Sequence, residues 1–359
     1  MKKLDLYIMR KFLGTFFFSM LMILAIVVVF DVSEKMEKFL EHEATLNAIV
    51  FDYYKNFLPY FANAFSSLFT FVSVIFFTSK MASDTEIIAI LSTGISFKRL
   101  MLPYLMAATV IASLSFLLGG YIIPKANVDR SEFEKQYLGK RYVNREQNIH
   151  RQIAPGTYIF MSSFSSATGT GYNFSLENFS GDTLLNKLTA TRINWNKKDE
   201  LWNIHNWKLR EIDGYKEKYT VGTKLDTLLD FHPKEFTENP EKIKEQLTYP
   251  ELNGYIERME MRGSSNIIEF QLEKYKMFAN AFATFILTII GVSISSRKIR
   301  GGMGLHLGIG LTLSFSYILF MQFSTVFATN GSMNPMLAVW LPNMLFSVIA
   351  FFTYIMAPK

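Results

Sequence analysis

The sequence predicts an α-helical membrane protein of six transmembrane helices, with a β-jellyroll or sandwich domain inserted after the third. Three observations carry this. Six apolar runs of membrane length fall into two groups of three. The polar stretch between the groups, Lys125 to Lys276, alternates as β-strands do. Charge is segregated from the apolar runs rather than spread along the chain.

The runs extend from Phe12 to Phe30, Phe57 to Phe77, Met101 to Ile123, Met277 to Ser295, Met303 to Ala328 and Met336 to Met356. Each is close to the ~20 residues that a helix needs to cross a bilayer core. Charged side chains are absent from their centres, as expected where burying a charge in hydrocarbon is costly. Lys2 and Lys3 precede the first run, but the run is longer than a signal core and lacks a small-residue cleavage site before Asp31, so it reads as an uncleaved anchor.

Orientation follows from the short loops. Lys2, Lys3, Arg10 and Lys11 precede span one, Lys80, Lys98 and Arg99 lie between spans two and three, Arg297, Lys298 and Arg300 lie between four and five, and Lys359 ends the chain. Six threaded spans place all of these on one side, which the positive-inside rule makes the cytoplasm. The termini are then cytoplasmic and the middle domain is outside. The formal charge of +6 is largely accounted for by this asymmetry and calls for no nucleic-acid partner. There is no cysteine, so the outer domain must hold together without disulfides or thiolate metal sites.

In the middle domain, strands are expected over Thr157 to Ser163, Tyr172 to Phe179, Leu184 to Trp195, Leu201 to Ile212 and Val221 to Phe231, rich in aromatic and β-branched residues and separated by Gly, Asn, Asp and Lys. Alternation puts Leu188, Ala190, Arg192 and Asn194 on one face and Thr189, Thr191, Ile193 and Trp195 on the other, with a turn at Asn196 to Glu200. Val128 to Leu138 and Glu241 to Arg262 read as helical connectors. The organisation is 1–124 for spans one to three, 125–265 for the outer domain and 266–359 for spans four to six.

Signs of catalysis are few. The chain has no phosphate-binding glycine loop, no paired histidines at helical spacing and no nucleophile elbow. His42, His150, His205, His232 and His306 are scattered, whereas metal ligands come in clusters. An enzyme is the weaker reading, and no bound cofactor is expected. The cytoplasmic segment from Ser83 to Leu100 is more telling. Its helix, expected over 84–94, carries Ile87, Ile88, Ile90 and Leu91 on an apolar face, Asp84 and Glu86 near its amino end, and Gly94 at its stop. Lipid-surface helices carry basic polar faces; this acidic start suits docking to a cytoplasmic partner instead.

At this point the chain resembles the permease subunits, F and G, of the lipopolysaccharide-export ABC transporter. The resemblance covers essentially the whole chain. It rests on Leu4-Asp5-Leu6-Tyr7-Ile8, on Thr85-Glu86-Ile87-Ile88 with Ser92-Thr93-Gly94, on the midpoint β-domain with Trp195, Trp202 and Trp207, and on Asn334-Pro335 through Trp340, Pro342 and Asn343. The opening motif looks more like the G subunit. The resemblance implies a bacterial inner-membrane permease that pairs with a homologous second permease. A dimeric cytoplasmic ATPase, binding ATP and Mg, would dock on its coupling helix at Glu86, and a periplasmic bridge protein would receive lipopolysaccharide from its β-jellyroll. Family members place basic residues near the outer end of span one. Here Asp31 and Glu34 precede Lys35 and Lys38, which read either as phosphate contacts or as a solvated turn.

Extracting a many-chained lipid into water would cost ~0.8 kcal/mol per methylene, so its route must be apolar. Phe61, Phe65, Phe69, Phe320 and Phe327, in spans two and five, are candidates for that route, against a reading as packing or lipid-facing surface. Asn63, Ser66, Ser67, Thr70 and Ser73 form a stripe on span two, and Gly304 and Gly308 give a G-x-x-x-G in span five; both read as close-packing surfaces. Gln322 reads as an interhelical hydrogen bond in preference to a gate contact. Two other functions stay open: a permease for another lipid or lipoprotein, and a non-transporting membrane receptor or scaffold with a ligand-binding β domain.

Overall fold

The computed structural model describes residues 3–139, 147–197, 199–233, 236, 240–261, 267–297 and 302–357. Lys2, Lys298, Arg300 and Lys359, counted above among the basic residues, Lys198 of the expected turn and Arg262 of the expected connector lie outside them. The chain divides into two compact units: Met1–Gly139 with Gln271–Lys359, and Lys140–Phe270.

The first unit is helical, and six of its helices are long and apolar enough to cross a membrane. Helix α1 (Lys3–Glu41) runs without interruption well beyond the apolar run that predicted it. A π-helical turn at Ala48–Tyr54 leads into α2 (Lys55–Ala64), separated only by Phe65 from α3 (Ser66–Ser83). The short α4 (Glu86–Ser92) precedes α5 (Phe97–Leu117). Helix α5 passes through a second π-helical turn at Leu118–Ile122 into α6 (Ile123–Tyr137), with Pro124 in the first turn of α6, where its missing N–H is harmless.

Helix α3 is the axis of this unit. One side packs with α1 and α5 around Phe12, Phe16, Val74, Phe77, Met81 and Tyr104. The other packs around Phe71, Ile75, Leu287, Ile290, Tyr317 and Phe346, contributed with α9 (Ile267–Ser295), α10 (Gly302–Thr329) and α11 (Pro335–Met356). A helix buried on both sides can carry polar residues only if they are satisfied. Ser66, Thr70 and Ser73 of the predicted stripe are buried, Thr70 Oγ1 donates to Ser66 O, and Ser73 Oγ lies 3.0 Å from Ser19 Oγ on α1. Asn343 on α11 accepts from Tyr317 Oη at 2.9 Å and donates to Ala279 O at 2.9 Å, stapling three helices in the low-dielectric interior.

Two expectations for span five need correction. A Cβ added at Gly304 or Gly308 would meet open space, so neither makes a close contact with the described residues. The close approaches are at Gly310, where a Cβ would overlap Ile75 of α3, and at Gly291 on α9, where it would lie 2.8 Å from Val74 Cγ1. Gln322 is exposed, and its backbone oxygen accepts from Thr325 on its own helix; it makes no interhelical hydrogen bond within the described chain.

The second unit holds one antiparallel sheet in sequence order: β1 (Gln147–Ala154), β2 (Thr157–Ser165), β3 (Thr170–Ser180), β4 (Thr183–Asn196), β5 (Leu201–Asp213) and β6 (Lys216–Thr227). This refines the jelly-roll or sandwich expectation. Every connection is a short hairpin, so among the described residues the strands form a single meander. Strand β1 was not foreseen, because its sequence QNIHRQIA buries only Ile149 and Ile153 and shows no aromatic or β-branched run. The expected helix over Glu241 to Arg262 is instead α7 (Pro240–Gln246) and α8 (Tyr249–Met261). The break has a local cause: Thr248 caps α8, with its N–H and Oγ1 both bonded to Glu251 at 2.8 and 2.6 Å, and Pro250 occupies the first turn.

A line of small polar residues crosses all six strands: Asn148, Ser162, Asn173, Thr191, Asn206 and Thr223. The ladder skips it. Pairing passes from Ile149↔Met161 to Gln147↔Ser163, from Phe160↔Ser175 to Ser163↔Tyr172, from Phe174↔Ala190 to Tyr172↔Arg192, from Ala190↔Trp207 to Arg192↔His205, and from Trp207↔Gly222 to His205↔Lys224. Asn148, Asn173 and Asn206 adopt φ of 53°, 50° and 50° on this line, a left-handed conformation that Asn tolerates better than most residues. Ser162 Oγ donates to Tyr172 O and Thr191 Oγ1 to His205 O, replacing ladder bonds.

At this crease the inward set changes phase. Ile159 and Met161 are followed by Phe164, Leu188 and Ala190 by Ile193, and Trp202 and Ile204 by Trp207 and Leu209. The simple alternation expected on β4 therefore holds only as far as Ala190: Ile193 is buried while Arg192 is exposed. Gly222, opposite Trp207, leaves room for the indole, which a Cβ would meet at 2.6 Å.

Candidate functional site: a loop tied to the first helix, and an apolar cavity

At the loop between α3 and α5, Asp84 caps the end of α3 and is exposed, and Thr85 turns the chain at φ 62°. Helix α4 therefore begins at Glu86, and Asp84 does not share its amino end. The expected apolar face also divides. Ile87 is fully buried, Ile90 and Leu91 pack partly against the same cluster, and Ile88 is 54% exposed. Helical geometry explains this: residues three and four apart share a face, whereas adjacent residues are turned by about 100°. Three side chains root the helix, leaving Ile88 outward with Asp84, Ala89 and Ser92 exposed around it. Gly94, at φ 84°, ends the segment and donates its N–H to Leu91 O at 3.0 Å.

Two contacts hold this region to α1, one to the short helix of the loop and one to the first turn of α5. Tyr7 Oη donates to Glu86 Oε2 at 3.2 Å. The Arg99 guanidinium grips Asp5 with both nitrogens, Nη1–Oδ1 and Nη2–Oδ2 each at 2.7 Å, and Asp5 is 3% exposed. The Nη2–Oδ2 contact is a charge-assisted hydrogen bond, the strong form of such pairing, and Nη1–Oδ1 is a close ion contact. Asp5 and Tyr7 belong to the motif quoted above for its resemblance, which gave no hint of these partners. Arg99 lies 94 residues from Asp5 in sequence, a separation that no local pattern bridges.

Farther along α1, a cavity of about 700 Å³ opens between α1, the α2–α3 junction and α5. Phe16, Phe17, Met20, Leu24 and Val28 line it from α1, Leu58 and Ala62 from α2, and Ile111 and Leu114 from α5. The polar lining groups include Asn63 and Ser115, which satisfy each other, Ser115 Oγ donating to Asn63 Oδ1 at 2.6 Å. The walls are otherwise hydrocarbon, so the space suits acyl chains and repels polar solutes.

The predicted phenylalanines are placed differently. Phe57, Phe61, Phe65 and Phe69 form a ladder of rings at successive centroid separations of 4.4, 6.2 and 6.4 Å. Phe61 packs into the cluster around Tyr53 and Phe133, and Phe65 and Phe69 into that around Phe12 and Tyr104. None of the three lines the cavity. Phe320 and Phe327, the latter 54% exposed, lie on α10, which also contributes nothing to it. The cavity aromatics are Phe16 and Phe17, which sit in a continuous apolar run whose faces the sequence does not distinguish.

Lys35 and Lys38 are not a solvated turn, since α1 continues through them. Lys38 is exposed. Lys35 is largely buried; it pairs with Asp31, donates to Tyr53 Oη, and lies 4.9 Å from the Tyr53 ring centroid and 5.4 Å from that of Phe57. Tyr54 Oη donates to the other Asp31 oxygen at 3.0 Å. Burial and then the Asp31 carboxylate hold both tyrosine hydroxyls above the usual phenol range, fixing them as donors. This closed set anchors the Glu41 end of α1 and engages the Lys35 ammonium within the chain.

No curated protein matches the chain. The six membrane-length helices, the inserted sheet, the loop tied to α1 and the motif residues Glu86 and Asn343, each now with a structural partner, agree with a match spanning residues 6–356, and the chain belongs to the lipopolysaccharide export system permease LptF/LptG family.

Proposed function

We propose that this chain is one of two homologous permease subunits of an ABC exporter that lifts lipopolysaccharide from the bacterial inner membrane. Its termini and the Asp84–Gly94 loop are cytoplasmic and its β domain is periplasmic. ATP and Mg are held by a separate dimeric ATPase that docks against Glu86, Ile88 and their exposed neighbours. The β domain hands the lipid to a periplasmic bridge. The Leu4-Asp5-x-Tyr7-Ile8 opening favours the G role.

The observation that carries this reading is the continuity of α1. Its inner end is bound to the loop through Tyr7–Glu86 and to the first turn of α5 through Asp5–Arg99, and its middle forms a wall of the apolar cavity. A push on the loop is thereby delivered to the helix that bounds the lipid space. The test is reconstitution of the chain with its second permease and the ATPase in vesicles holding either lipopolysaccharide or phospholipid alone. ATP-dependent transfer of lipopolysaccharide to a soluble acceptor supports the assignment. Transfer of phospholipid instead, or none by an assembled complex, overturns it.

A further inference from the structure

The crease in the β unit forms a groove on the sheet face opposite the apolar core. The groove has a volume of about 400 Å³, and its lining includes Phe160, Ser175, Lys187, Thr189 and Lys208 together with the crease residues Asn173, Thr191 and Asn206. The phase change described above explains the composition. Inward positions keep the hydrocarbon, so the outward positions flanking the crease are free to be polar, and the crease itself is built of Asn, Ser and Thr. We propose that this groove binds a sugar bearing one anionic group, a phosphate or a carboxylate.

Three features support the assignment. Phe160 presents a ring at the groove, backed by His150 at a centroid separation of 4.6 Å, which gives an apolar platform for a sugar face. Hydroxyl and amide groups stand beside it. Those of Asn173 and Thr191 already bond across the crease, to Ser162 Oγ at 3.2 Å and His205 O at 3.1 Å, which orients them, while the Asn206 amide has no partner among the described residues. The charge is positive on balance. Lys187 is paired with Glu177 at 2.7 Å, whereas Lys208 has no carboxylate partner among the described residues and rests 4.4 Å from the Tyr219 ring centroid. Two lysines against one glutamate leave a single unmatched cation, which selects an anion. The site is held together by the crease, since one asparagine in each of three strands adopts the left-handed conformation to form it, and such conformations persist where surrounding structure enforces them.

The sugar could belong to the head group of a transported glycolipid, which rests on the function proposed above, or to a free sugar phosphate, which does not. Saturation-transfer NMR on the full chain in detergent separates these, with glucose 1-phosphate, glucose and inorganic phosphate as small probes and a phosphorylated glycolipid in mixed micelles as the fourth. The expected result is transfer to the sugar protons of glucose 1-phosphate that falls at least fivefold in Lys208→Gln and in Phe160→Ala, and is unchanged in Lys216→Gln, which lies on the same sheet away from the groove. Competition by the glycolipid assigns the sugar to a lipid head group, and its failure to compete assigns it to a free sugar phosphate. Absence of transfer, transfer indifferent to Lys208, or equal competition by inorganic phosphate alone overturns the proposal. Because the readout needs no ATPase and no transport, its failure and that of the transport reading are distinguishable.

Discussion

Replacing Glu86 with alanine tests the coupling assignment, and the structure sets two magnitudes against each other. Within the chain, Glu86 loses one hydrogen bond, from Tyr7 Oη at 3.2 Å. This is long for a bond to a carboxylate, so its loss should cost at most about 1 kcal/mol of stability. The helix stays rooted by Ile87, Ile90 and Leu91. Against a docked ATPase the same carboxylate would accept charge-assisted bonds worth roughly 1.5–3 kcal/mol, or about 10- to 150-fold in affinity. Glu86→Ala should therefore leave the thermal midpoint of the purified chain nearly unchanged while weakening ATPase capture by that factor. Tyr7→Phe removes the internal bond but keeps the carboxylate, so capture should be retained. Both are read by titrating the ATPase onto the permease pair in nanodiscs, alongside lipid release from vesicles. Normal assembly and normal export by Glu86→Ala would refute the coupling role.

Gly310→Ala should destabilise the helical unit by about 1–3 kcal/mol through overlap with Ile75; adding Ile75→Val should recover most of it, and strictly additive effects in thermal unfolding would count against that contact. Filling the cavity with Ala62→Trp should block lipid release while leaving ATP hydrolysis by the complex intact, and unimpaired release would remove the cavity from the route. Burial, with Arg192 and Lys224 nearby, holds the His205 imidazole below the usual histidine range. The unfolded chain then takes up its proton first, near pH 6.5, so stability should fall as pH drops below about 6.5; His205→Gln should flatten that dependence in a pH series of melting curves. Because the chain has no cysteine, single cysteines at Ser92 and Ser180 report topology directly. Labelling from the periplasm is expected at Ser180 only, and the reverse pattern would invert the orientation.

What the sequence revealed depended on whether a property is local. Span existence and the inserted β-unit were legible because apolar length and strand alternation are local signals. The axial role of α3 was half legible: the stripe from Ser66 to Ser73 marked a buried polar face, but its partners on α1 could not be read. The glycine signal misled, since Gly304 and Gly308 have the familiar spacing while the contact is at Gly310, set by where Ile75 reaches. The phenylalanines in spans two and five failed as cavity markers for a similar reason, because aromatic content does not say which way a helix is turned. The break before α8 is encoded in Thr248-x-x-Glu251 with Pro250, a short capping signal inside a longer stretch of helical periodicity. The crease was hidden because it is a row across six strands, visible only once the register is known.

The two anchorages of α1 determine how it can move. Asp5 is gripped near one end by Arg99, and Asp31 near the other by Lys35 and the two tyrosines. They are 26 residues apart (31 minus 5), about 39 Å along a helix axis. Phe12, Phe16 and Met20 of the helix are buried in the core, whereas no side chain from Leu21 to Phe30 is fully buried within the described chain. A beam clamped at both ends and less tightly held beyond Met20 neither slides nor tilts as a whole when one clamp is displaced; it bows. The cavity wall from Phe16 to Val28 lies between the clamps, so a small shift at the Asp5 clamp changes the curvature of the wall, and the width of the cavity follows the flexural stiffness of a single helix.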